Sequence, residues 1–94
     1  MDEKYLEGTL SCGFGYRVPK DYLNNMELLD VLNELQDENI LSLSRAIVIL
    51  FGQDGKKQLY ERLRGEDGVV RASDVEKALS EFFEQQQDSK TVKN

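Results

Sequence analysis

The sequence has no histidine, no tryptophan, one cysteine and one proline in 94 residues. Without histidine it lacks the side chain that titrates nearest neutral pH, and so the usual general base and the commonest transition-metal ligand. Cys12 alone can form neither an internal disulfide nor a thiolate cage, and no imidazole is present to activate it as a nucleophile. A single thiol of this kind fits a reducing compartment. Long apolar runs are missing too: the strongest, residues 46–51, is far short of the roughly 20 residues that cross a bilayer. The acidic start MDEKYLEG shows no leader or anchor pattern. Nor is there a basic excess, since 12 Lys and Arg face 18 Asp and Glu for a net charge of −6, which leaves no footprint for nucleic-acid phosphates. A chain of this length buries only about 60–65% of its unfolded surface, so one modest core fits and a core plus a catalytic cleft hardly does. The expectation is a single non-enzymatic domain with no cofactor and no metal.

What is present reads as mainly α. Between well-spaced glycines, apolar residues recur at helical spacing. Residues 1–20 form an N-terminal arm in which Gly8, Gly13 and Gly15 interrupt any helix, and Phe14, Tyr16 and Val18 would share one face of a strand. Short β-hairpin and extended arm both satisfy that pattern. Residues 21–84 read as a small four-helix domain. A first helix over 22–36 is capped by Asp21, and a second over 43–51 is capped by Ser42 or Ser44 and stopped by Gly52. A third over 55–64 is capped by Asp54, and a fourth begins at the capping box Ser73-x-x-Glu76. Residues 85–94, with almost nothing apolar to bury, are expected to be a flexible, disordered tail.

Two loop motifs invite a ligand and fail on composition. Placing Gly68 at the sixth position of a calcium loop puts Leu63 first and Gly65 third, where oxygen ligands are needed, leaving an Asp-Gly turn before a helix. Gly13-Phe14-Gly15 lacks the spacing and the following Lys-Ser/Thr of a phosphate cradle, and reads as flexibility around an exposed aromatic, Phe14. The charge pattern is more informative. Residues 21–38 carry six acids and no base, a charge equal to the net charge of the whole chain, while 39–65 are net basic through residues such as Lys56, Lys57, Arg62 and Arg64. Glu27, Asp30 and Glu34 fall on one helical ridge, which is either a solvated face or a surface for a basic partner. Phe82 and Phe83, about 100° apart on a helix, cannot both sit in the centre of one stripe, so one is core and the other half exposed. The candidate partner-binding residues are therefore Phe14, Tyr16, Glu27, Asp30, Glu34, Phe82 and Phe83.

The order of these segments resembles the small tail assembly chaperones of long-tailed phages and prophages of Gram-positive bacteria. The similarity spans about residues 14–84. It lies in the aromatic arm before Pro19-x-Asp21, the Glu27-Leu28-Leu29 triplet, the apolar helix closed by Gly52, and the Asp67-Gly68 turn before the last helix. The resemblance implies a non-enzymatic protein of the host cytoplasm, absent from the mature virion. Such a protein coats the tape measure protein, self-associates, and recruits the major tail protein as tail tube subunits during tail morphogenesis. It assigns no site residue. The alternative is a small acidic prophage or bacterial regulatory protein that binds a single protein partner. Acidic and basic segments on one chain also favour head-to-tail self-association, weakened by salt.

Overall fold

The computed structural model describes residues 4–92, with side chains through Gln87. The N-terminal arm is a hairpin: β1 (Tyr5–Thr9) pairs antiparallel with β2 (Gly15–Pro19) in the register Tyr5 to Pro19 through Thr9 to Gly15. Alternation along β2 buries Tyr16 and Val18 and turns Arg17 outward, over the Tyr5 ring and onto Glu7 at 2.7 Å. Across the ladder from Tyr16 stands Gly8, where an added Cβ would lie 2.5 Å from the Tyr16 hydroxyl. The glycine leaves room for the tyrosine ring.

Pro19 leads into a 3₁₀ turn at Lys20–Asn24, and α1 (Met26–Gln36) follows. The expected cap at Asp21 is therefore corrected. Asn25 has extended backbone and its side chain accepts a hydrogen bond from the Glu27 N–H at 2.9 Å, so the α-helix starts four residues later than expected. At the other end the Asn39 N–H reaches the Glu34 carbonyl and the Glu38 N–H reaches that of Leu35, the paired bonds of a Schellman motif. Glu38 occupies the position where glycine is usual, at φ 66°. A second 3₁₀ turn, Ile40–Ser42, follows, and the Ser42 hydroxyl donates to the Glu34 carboxylate, tying the turn back to α1.

The expected four-helix count is corrected to three, because residues 43–51 and 55–64 belong to one element. Helix α2 (Leu43–Leu63) is broken at Gly52, with φ 78° and ψ 173°, a conformation essentially restricted to glycine, and its second limb resumes at once. The bend is sharp. Lys56 Nζ donates to Ser44 Oγ at 3.1 Å across the corner, whereas 12 residues of straight helix would rise about 18 Å. Folding α2 back lets Ala46, Ile47 and Leu50 of one limb and Leu59 of the other enter the same core.

The connection to α3 (Ala72–Val92) is a turn around Asp67 and Gly68. The Asp67 carboxylate accepts from the Val69 N–H and pairs with Arg71 at 2.7 Å. That guanidinium is the main reason the Asp67 pKa lies below its ordinary value, with the backbone bond second. The helix begins ahead of Ser73. Among the described residues no hydrogen bond joins Ser73 to Glu76, so the expected capping box is not formed.

Helix α3 also runs past the expected boundary at residue 84. Gln85 donates to the Thr9 carbonyl and accepts from the Tyr16 hydroxyl, to which Gln86 donates as well. Of the tail expected over 85–94, Lys93, Asn94 and the side chains of 88–92 lie outside the described residues. Among the described residues no helix is long and apolar enough to cross a membrane.

The hairpin, the bend of α2 and the middle of α3 meet in an aromatic cluster. Phe82 lies at its centre, fully buried, with ring centroids of Tyr16, Phe51 and Phe83 at 4.9, 5.4 and 5.1 Å, all edge-on. Phe14 stacks edge-on against Phe51 at 5.1 Å. Each buried side chain of this size stabilises the fold by about 1.5–3 kcal/mol through water exclusion, and each edge-on pair adds about 0.5–1.5 kcal/mol.

Candidate protein-docking surface

The sequence-predicted site residues separate into core and surface. Phe14 (4% exposed), Tyr16 (7%) and Phe82 (0%) are core, which corrects the expectation of an exposed aromatic arm. The reason is the hairpin itself: pairing with β1 gives β2 one inward face that carries Tyr16, and Phe14, just ahead of the strand, turns inward onto Phe51. Phe83 is half-buried against Phe82, as the 100° argument requires of one of the two. Glu27 and Asp30 are exposed on α1, and among the described residues no base pairs with either. Glu34 is half-buried and committed to Ser42.

Apolar side chains left outside the core mark the surface more sharply than those acids do. Leu41 is 86% exposed and Met26 64%, and Tyr22, Leu29, Ile40 and Val69 are exposed as well. Helix α1 explains part of this. Its inward face carries Leu28 and Val31 with Leu32 and Leu35 beside them, and that exhausts the width a helix can bury. Met26 and Leu29 are left on the outer side among the acids. Leu41 has no such excuse: it sits in a 3₁₀ turn held by bonds from the Ser42 N–H to Asn39 and the Leu43 N–H to Ile40, with an isobutyl group in water.

Two depressions flank this turn and share Leu43 as a wall. The smaller, about 240 Å³, is lined by Ile40, Leu41, Tyr60, Val70 and Val75 among others, with Lys56 near one edge over the Tyr60 ring. The larger, about 680 Å³, runs between the end of α1 and the outer flank of α3. Leu35, Leu43 and Leu79 form its apolar floor, and Ser73, Glu76, Ser80 and Glu84 its α3 rim, together with Lys77 and Glu81. Glu81 is occupied, accepting from the N–H and the hydroxyl of Ser11 at 2.9 and 2.8 Å. Glu76 and Glu84 are exposed and without partners among the described residues.

This trough is assembled from residues 35, 43 and 79, far apart in the chain, so sequence reasoning had no local signal for it. The available hint was an excess: α1 carries more apolar residues than one face can hold. Chemically the surface offers apolar contact beside the carboxylates of α3, and among the described residues no hydrogen bond joins its Ser73 or Ser80 to a neighbouring acid or base. No protein-family model, no curated protein and no solved structure matches the chain.

Proposed function

We propose that this chain is a non-enzymatic protein-binding module acting as a phage tail assembly chaperone. In this reading it holds the tape measure protein and brings major tail protein subunits to it in the host cytoplasm, and it leaves before the virion is complete. Two things support the reading: the order and spacing of segments described above, and the apolar side chains at the α1–α2 turn. The observation that carries it is Leu41, 86% exposed beside an apolar trough. Isolated surface leucines are ordinary, but contiguous apolar side chains rimmed by charge mark interaction sites. A tape measure is long and largely helical, so shielding it calls for repeated modest contacts rather than one tight cleft. Self-association belongs to the same reading. The acids of α1 and exposed bases such as Arg45, Lys57 and Arg62 face solvent on one chain, and a repeated contact between unlike surfaces builds a spiral or a ring.

The test is co-expression with a tape measure protein from the same genome. Soluble tape measure recovered in complex with this chain is the expected result. A tape measure that stays equally insoluble with and without the chain, with no complex recovered, removes the basis of the proposal. Sedimentation at rising ionic strength tests the second part, since assemblies indifferent to salt would contradict charge-driven stacking.

A further inference from the structure

We infer that the trough between α1 and α3 is a seat for one amphipathic helix with basic flanks, supplied by a different protein. The geometry comes first. Helices α1 and α3 each pack on α2, and the space between them is floored by Leu35, Leu43 and Leu79. A floor of three apolar side chains suits the apolar stripe of a helix, whose anchors repeat at i, i+3 or i+4, and i+7. A guest helix there would sit where a fourth helix completes a bundle.

Charge selects the guest. Glu76 and Glu84 stand along the α3 side, two turns apart, exposed and without partners among the described residues. On the other side exposed Asp37 and Glu38 follow α1, two and three residues beyond Leu35 and outside the lining of the trough, and α1 has no base in its last turn. Among the described residues Lys77 is the one base lining the trough. Lys or Arg on the α3-facing flank of the guest would meet Glu76 and Glu84, a basic opposite flank would face Asp37 and Glu38 just past the edge of the trough, and like charge would be rejected.

The occupant is not a second copy. Among the described residues no helix of this chain offers an exposed apolar stripe between basic flanks. The exposed apolar side chains of α1 lie among acids, Leu59 of the basic second limb of α2 is in the core, and the stripe of α3 is turned inward. The inference rests on reading the chain as a binder of helical protein, and it names the chemistry of the bound segment.

The experiment uses the full chain and fluorescein-labelled synthetic helical peptides, followed by anisotropy. One peptide has a leucine stripe with lysine flanks, a second replaces the lysines by glutamates, and a third keeps the lysine composition but scrambles the stripe. The lysine peptide is expected to bind at least tenfold more tightly than either other peptide and to weaken as salt rises. Glu76→Lys with Glu84→Lys should weaken it by about tenfold or more and improve binding of the glutamate peptide. Ser80→Trp, which fills the trough from its exposed rim, should remove binding of all three. Circular dichroism confirms that the variants are folded. Equal binding of the scrambled lysine peptide, an unchanged affinity in the charge-reversed variant, or no binding of the lysine peptide at about 1 mM would each overturn the inference. These outcomes are independent of the tape measure co-expression: a failure there leaves the peptide result standing, and the reverse holds too.

Discussion

Replacing Glu38 by glycine should make the protein more stable. Glu38 closes α1 in the left-handed region, at φ 66°, with its side chain exposed and without a partner among the described residues. Its backbone bonds, from its N–H to Leu35 at 2.9 Å and from the Ile40 N–H to its carbonyl at 3.0 Å, are ones glycine keeps. Three terms then decide the outcome. Holding an L-residue in the left-handed region costs about 1–2 kcal/mol, which glycine avoids. The greater freedom of glycine in the unfolded chain returns about 0.4–1 kcal/mol. Removing a carboxylate from a helix C-terminus that has no base in its last turn contributes about 0.3–1 kcal/mol at low ionic strength. The net is a gain of about 1–1.5 kcal/mol, or roughly 4–12 °C in Tm for a domain of this size. Urea unfolding of Glu38→Gly beside Glu38→Gln separates the causes, because glutamine removes the charge and keeps the strain. The glutamine gain should fade with added salt while the glycine gain survives. If glycine is no more stable than glutamine at high salt, backbone strain at this position is not a real cost.

Four further expectations follow from particular contacts. Phe82→Ala empties the centre of the aromatic cluster and should cost about 3–5 kcal/mol in urea unfolding; a loss under about 1 kcal/mol would mean the cluster is not the core. Gly8→Ala should cost about 1–3 kcal/mol because its methyl would meet the Tyr16 hydroxyl. The penalty should shrink in a Tyr16→Phe background, and strict additivity of the two substitutions would argue against that clash. Gly52→Ala should cost about 1–3 kcal/mol although its Cβ would touch nothing within 4 Å, because the φ/ψ pair is itself forbidden to L-residues; D-alanine, introduced by chemical synthesis, should be tolerated. Asp67 has a folded pKa below its ordinary 3.8, so its contribution is complete at neutral pH and is lost as pH falls from 3.8 through the lowered value. Asp67→Asn should therefore differ from the parent at pH 7 and converge with it in strong acid, and a gap that persists there would point away from the Arg71 pair.

Sequence patterns carried the secondary structure well where the cause was local. The alternation at 14, 16 and 18 admitted a strand face or an extended arm, and the hairpin chose the first; Gly52 and the Asp67-Gly68 turn foretold interruptions. What a break leads to is not local. At Gly52 the chain could have stopped or bent, and burying Leu59 beside Leu50 favours the bend. At Asp21 and Ser73 good capping residues were present, yet Asn25 took one role and the helix simply began earlier in the other case. The aromatics were misread because a strand face announces itself without saying whether it meets core or solvent. That depended on register, which set Gly8 opposite Tyr16 and let the ring fold inward. For the docking surface, the acids that composition made visible, Glu27, Asp30 and Glu34, are not those beside the trough, which are Glu76, Glu81 and Glu84. The trough itself was not visible either, since its walls come from three helices.

The contacts between the hairpin and α3 impose an order on how the molecule can be made. Thr9, Ser11 and Tyr16 find their partners Gln85, Glu81 and Gln86 some 70 residues later in the chain. At ribosomal speeds of about 5–20 residues per second, the two strands wait roughly 4–14 s for the residues that cover them. Through that interval Phe14 and Tyr16 are sticky surface on a nascent chain, and no early portion of the polypeptide can hold the final fold. Helix α3 is thus a latch, and it cannot close until the residues around Gln85 and Gln86 have been made.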